Sequence, residues 1–264
     1  MTARFSAMAL PRPVGPPTRR ARGIGAVAST LLLALLALPP MATQAAAREP
    51  FRLIRLDGSF MKWGAPRLGT GAIIRYAFAT RMTAHPKARN CRAMVPLGGL
   101  LAATGIRSAV FRRETEAAFA LWSAAADLRF ERVDDPARAD ILIGAQARPR
   151  GRAYADVDFK AAPGARIGAL RQSLICLNPV QKWKVGFDGD LEVYDLRYTL
   201  AHEIGHAIGL DHPGADGSLM GYRYDERSRE LRTGDIAGAA LLYGARQATD
   251  LVGKPVDRGG TTPQ

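Results

Sequence analysis

Histidine and cysteine are scarce in this 264-residue chain, with four copies of the first and two of the second. Three of the four histidines lie within eleven residues, and no cysteine is near them. That argues against a purely structural zinc site, which usually fills all four ligand positions and often uses cysteine. There is no internal repeat and no long linker, which leaves a single domain. No apolar run after residue 38 could span a bilayer. No compact Lys/Arg run is interleaved with aromatics, so the formal charge of +13 reads as a solvated basic surface with no specific nucleic-acid partner.

What is present is concentrated at residues 202–212, which read His-Glu-Ile-Gly-His-Ala-Ile-Gly-Leu-Asp-His. His202 and His206 are four apart, so on a helix both imidazoles leave the same face. Glu203 sits one step round, beside a metal without being forced onto it. Gly209 lets the chain leave the helix in a left-handed conformation and return His212 as a third ligand. Three protein ligands leave one zinc position open for water. The competing reading is an amphipathic helix with solvated histidines. Five fixed positions in eleven residues, with a mechanical reason for the glycine, weigh against it.

Met220 follows His212 by eight residues, in Ser218-Leu219-Met220-Gly221-Tyr222. Zinc motif and methionine together resemble the metzincin metallopeptidases. Tyr194-Asp195-Leu196, Asp235-Ile236 with Leu242-Tyr243-Gly244, and Lys62-Trp63 are similar to matrixins and serralysins alike. Pro213 and Tyr222 lean towards serralysins. The chain departs from both families. It has no glycine- and aspartate-rich calcium repeats, His85 cannot build a second zinc site alone, and Cys91 does not match a pro-segment switch. The resemblance covers residues 60–245. It implies an α+β fold of the metzincin type: a twisted mixed five-stranded sheet, a long active-site helix, and a smaller C-terminal subdomain carrying the Met-turn. It implies one catalytic zinc on His202, His206 and His212, Glu203 as general base, and Met220 as a hydrophobic floor. Tyr222 is either a switchable ligand that stabilises the oxyanion or a packing residue. Tyr154-Ala155-Asp156 resembles the edge strand along which substrate lies; an ordinary loop is the alternative.

The N-terminus addresses the compartment. Residues 1–22 hold five arginines and no acid, residues 24–38 are apolar, and Ala45-Ala46-Ala47 offers a cleavage site. This is the pattern of a signal peptide over 1–47, with a retained anchor as the alternative. The product is secreted or periplasmic. Loss of the five arginines takes the charge from +13 to +8. Export makes a Cys91–Cys176 disulfide the favoured reading, against two buried thiols.

The remaining chain divides into a short segment 48–60, a catalytic domain 61–245 and a loose tail 246–264. The sequence predicts strands at 72–78, 128–133, 139–144 and 173–177. A helix over 109–126 has Val110, Ala117, Leu121 and Trp122 on its apolar face. The active-site helix begins near Asp195, with Leu196, Leu200, Ile204 and Ile208 towards the core. A closing helix spans 233–243, started by Thr233 or Asp235. The acidic turn 186–192 could hold calcium but lacks the full loop pattern, and a solvated turn is the simpler reading. Arg223, Arg227, Arg229 and Arg232 follow the Met-turn; they favour acidic side chains in the adjacent pocket or point to solvent. The sequence therefore predicts a monomeric zinc endopeptidase acting on proteins or peptides. The alternative is a zinc-containing binding protein of the cell envelope.

Overall fold

The structure is a computed structural model, described here for residues 51–213 and 218–246. The signal-peptide reading, all but the first residue of the tail, and residues 214–217 lie outside these. In chain order the strands are β1 (Arg52–Leu53), β2 (Arg55–Leu56), β3 (Ser59–Lys62), β4 (Ala72–Phe78), β5 (Thr83–Ala84), β6 (Ala93–Val95), β7 (Leu128–Arg132), β8 (Ile141–Gln146), β9 (Ala153–Lys160), β10 (Ile167–Leu177), β11 (Trp183–Lys184), β12 (Tyr194–Asp195) and β13 (Leu210–Asp211). The helices are α1 (Gly98–Thr104), α2 (Ser108–Ala125), α3 (Leu196–Ala207) and α4 (Thr233–Tyr243).

Five strands in the order β7–β4–β8–β10–β9 form the mixed sheet that the sequence implies, and only β9 in that series runs antiparallel. Short strands β2, β3, β5 and β6 extend it to nine. The two faces of the sheet explain the pattern of its strands. Every residue of β8 is buried, as befits a central strand flanked on both sides. Among the described residues strand β9 pairs with β10 alone, which leaves its other edge outside the strand ladder. Residues 51–60 also join the fold. Arg52 and Leu53 pair with Asp211 and Leu210, and Ile54 N–H donates to Gly209 O at 2.8 Å.

Helix α2 buries a stripe one residue away from the one that the sequence places inward. Phe111, Glu114, Thr115, Ala118, Phe119 and Trp122 are buried, while Val110, Ala117 and Leu121 are only half-buried. The rotation lets α2 meet the sheet and α3 together. Phe119 packs on Tyr76 of the sheet with ring centroids 4.3 Å apart. Trp122 Nε1 donates to Ala201 O of α3 at 2.9 Å.

Cys91 and Cys176 form a disulfide with a Cα–Cα distance of 5.8 Å, and both are fully buried. It fastens the segment before β6 to the end of β10. Because it closes a loop of 85 residues, its removal is expected to cost about 2–5 kcal/mol, near the top of that range. Urea unfolding of Cys91→Ala/Cys176→Ala beside wild type measures this. A difference below about 1 kcal/mol would mean that the reduced chain is held equally well without the link.

Candidate metal centre and substrate cleft

Asp195 starts the helix that carries the motif. Its Oδ1 accepts the Tyr198 N–H at 2.8 Å, satisfying one of the free donors of the first turn. Leu196, Leu200, Ile204 and Ile208 are fully buried beneath. The far end of α3 leaves carbonyls without helical partners, and the core supplies them. Ala207 O accepts from Trp63 Nε1 at 2.8 Å and from Ser173 Oγ at 3.1 Å. Ile208 O accepts from Tyr243 Oη at 2.7 Å, and Tyr243 Oη in turn accepts from Trp63 N–H at 3.0 Å. Lys62-Trp63 and Leu242-Tyr243-Gly244, far apart in sequence, thus meet at one helix end. Gly209 follows at φ +103°, and a Cβ there would strike the Met61 carbonyl, so the position excludes a side chain.

The turn brings His212 back against the other two. His202 Nε2 lies 3.1 Å and His206 Nε2 3.2 Å from His212 Nε2. His202 Nδ1 is 2.7 Å from Leu219 O and His206 Nδ1 is 2.9 Å from Leu210 O. Each Nδ1 meets a carbonyl and must therefore be the donor, which leaves its Nε2 as a lone pair. One proton on His212 cannot satisfy two facing lone pairs; a cation among the three can. Nitrogens about 3.3 Å apart are what a tetrahedral zinc with bonds of ~2.0–2.1 Å requires. Burial lowers all three imidazole pKa values, that of His206 to about 4, so the rings are neutral and ready to ligate. The donor set fits zinc, and the three histidines would hold it.

Glu203 is buried beside them. Burial pushes its carboxyl up to about 8, against the pull of the Arg152 guanidinium and a hydrogen bond from the Ala155 backbone N–H. A dication on the histidines would favour the carboxylate. Met220, fully buried, packs against Gly205 of α3, where a Cβ would collide with the thioether and with the Trp122 ring. Asp235 pins this turn from α4: its carboxylate accepts the N–H groups of Leu219, Met220 and Arg232 at 2.9, 3.2 and 2.8 Å. Gly205 and Asp235 were not legible as site residues, because their roles depend on segments that pack only in three dimensions. Tyr222 stacks its ring on His212, centroids 4.0 Å apart, and is 66% exposed.

The histidines and Glu203 line a cleft of about 670 Å³. One wall is β9, with Ala153 to Val157; another is Tyr198, Gly221, Tyr222 and Tyr224. None of Arg223, Arg227, Arg229 and Arg232 lines it, which rules out the pocket reading of these arginines; Arg223 and Arg227 are exposed, as the alternative reading has it. Arg229 instead binds the buried carboxylates of Asp195 and Glu114, at 3.0 and 2.9 Å, and Arg227 meets Asp225 at 2.7 Å. In the turn 186–192 the cation that meets the carboxylates is Lys184. It contacts Asp188 and, at 2.6 Å, Glu226, which reaches in from the loop after the Met-turn. Burial would raise the Glu226 carboxyl, but hydrogen bonds from Lys184, Tyr224 and the Gly189 and Asp188 N–H groups prevail and hold it at about 2.

A sequence model of the family described as Matrixin matches residues 101–244. The chain belongs to the matrixin family. Among its relatives, Metalloendoproteinase 1-MMP of Arabidopsis thaliana is 34% identical over 142 residues, 51% of this chain and 37% of that protein. Matrix metalloproteinase-20 of Homo sapiens is 30% identical over 152 residues, 54% of this chain and 29% of the relative. Stromelysin-2 of Rattus norvegicus is 30% identical over 155 residues, 56% and 32%. The aligned part thus spans about a third of each of these relatives. The matrixin assignment decides between the two families that the motifs resemble. Among the described residues of this matrixin, no helix is long and apolar enough to cross a membrane.

Proposed function

We propose that this matrixin is an exported zinc-dependent endopeptidase. The observation that carries the reading is the convergence of three imidazole lone pairs beside a buried carboxylate, in a cleft walled by an unpaired strand edge. Peptide substrate pairs its backbone with the free edge of β9, as extended ligands do at open sheet edges. Bound zinc supplies Lewis acidity and brings the pKa of a coordinated water to ~7. Glu203 accepts the proton of the attacking water and passes it to the leaving amine. His202 and His206 are fixed in one tautomer by the Leu219 and Leu210 carbonyls, so their Nε2 lone pairs stay on the metal side. Tyr222, ring-stacked on His212 at the mouth, offers its hydroxyl to the developing oxyanion.

The test uses protein produced without residues 1–47. Zinc near one per chain and chelator-sensitive cleavage of casein or quenched peptides are expected. His206→Ala is expected to purify without zinc and without activity. Stoichiometric zinc in that variant would overturn the ligand set, and cleavage that survives exhaustive chelation would overturn the mechanism.

A further inference from the structure

Arg152 lines the cleft, and the proposed mechanism leaves its charge and hydrogen-bonding capacity unused. It immediately precedes β9, and its guanidinium carbon lies 4.0 Å from the centroid of Tyr194 and 5.6 Å from that of Tyr224. Its Nε is buried without a hydrogen-bond partner. Among the described residues the guanidinium makes no ion pair. The neighbouring carboxylates are committed elsewhere. Glu226 takes Lys184, the Tyr224 hydroxyl and two backbone N–H groups. Asp195 takes Arg229 and the N–H groups of Tyr198 and Gly186. Asp156 accepts the N–H groups of Asn90 and Cys91. Glu203 feels the Arg152 charge but does not pair with it.

A second unsatisfied donor lines the same cleft. Thr199, on α3 one turn before Glu203, has a buried hydroxyl with no partner. Buried polar groups without partners are uncommon, and two in one cleft point to a ligand that supplies acceptors. The surroundings add direction. Tyr194, Tyr198 and Tyr224 stack edge to face at 5.0–5.1 Å and form an aromatic wall behind the guanidinium. Such a wall lowers the local dielectric and strengthens a charge-assisted hydrogen bond.

We infer that the cleft next to the metal centre takes an acidic side chain of the substrate, whose carboxylate is bound by Arg152 with help from the Thr199 hydroxyl. This rests on the endopeptidase reading and names its substrate class: proteins cut beside aspartate or glutamate. The acidic preference that the sequence suggests from Arg223, Arg227, Arg229 and Arg232 is thereby moved to a residue from the opposite wall.

A quenched-peptide library randomised on both sides of the scissile bond identifies the favoured position, and peptide pairs that differ only by Glu or Gln there are then compared. Wild type is expected to favour Glu over Gln by about ten- to hundredfold in kcat/KM, since hydrogen bonds to a charged group are being lost. In Arg152→Met, which keeps the stem on Tyr194, the ratio should fall to about one; Arg152→Lys should restore part of it, and Thr199→Val should lower it severalfold. The ratio is internal to each variant, so general damage to the fold cancels. Cleavage of both peptides at equal rates by wild type overturns the inference and leaves the peptidase standing. If no library member is cut, the peptidase reading fails. Anisotropy of the same fluorescent peptides on wild type and Arg152→Met then decides the inference: a Glu preference abolished by the substitution supports it, and equal binding overturns it.

Discussion

Glu203→Gln is expected to lower kcat by about 10²–10⁴-fold while the zinc content stays at the wild-type level. The amide has nearly the size of the carboxylate and fits the same buried space, but it cannot accept and return a proton. It is not needed to hold the metal, because the three imidazole nitrogens converge without it. A thermal measurement separates chemistry from folding. In chelator-stripped protein, burial holds the Glu203 pKa at about 8 instead of the usual 4.5. A carboxyl whose pKa is raised by folding costs stability as pH climbs from the unfolded value to the folded one. The three imidazoles, whose pKa values burial lowers, act in the opposite direction below about pH 6.5, so metal-free wild type should lose stability from there to about pH 8, and Glu203→Gln should flatten that slope. Turnover within tenfold of wild type would remove Glu203 from the role of base. A variant that loses zinc together with activity would show it to be part of the metal's support instead.

The metal centre was legible because its chemistry is local. Eleven consecutive residues hold the ligands, the base and the glycine, and a helix followed by a turn is enough to bring them together. Strands such as β8 and the cap at Asp195 were legible for the same reason, since each follows from neighbours in sequence. The cleft was not. Arg152 comes from the turn just before β9, Tyr194 from the approach to α3 and Tyr224 from beyond the Met-turn, and nothing in their spacing says that they meet. Residue type alone attracted attention to the arginines at 223–232, whereas Arg229 is consumed by Asp195 and Glu114. The apolar face of α2 was misjudged by one residue because a hydrophobic stripe predicts burial against a single neighbour, and α2 packs on the sheet, α3 and α4. Glu114 is buried on that face only because Arg197 and Arg229 reach it.

That last group carries the second large effect. Asp195→Ala is expected to destabilise the protein by roughly 3–5 kcal/mol, because it strands a charge in a network of buried groups. Asp195 is fully buried and holds four partners: Tyr198 N–H at the head of α3, Gly186 N–H at 2.7 Å, and the Arg229 Nε and Nη2, each at 3.0 Å. Arg229 Nη2 also reaches Glu114 Oε2 at 2.9 Å, and Arg197 Nε meets the same oxygen at 2.8 Å. The network therefore joins α2, the head of the metal-binding helix and the loop that carries Tyr224. Removing the aspartate uncaps α3 and leaves Arg229 with one carboxylate in place of two. For a domain of about 200 residues this corresponds to a fall in Tm of roughly 6–20 °C. Asp195→Asn keeps Oδ1 for the cap but puts an amide nitrogen, a donor, where Oδ2 accepts the Gly186 N–H and Arg229 Nη2, so it spares the cap and breaks the ion pair. Equal losses in the two variants would assign the effect to the ion pair, whereas a loss confined to alanine would assign it to the cap. A change below about 1 kcal/mol in both would mean that Glu114 alone satisfies Arg229. In that case the position of the Tyr224 loop, and with it the wall behind Arg152, must be set by the Lys184–Glu226 clamp instead.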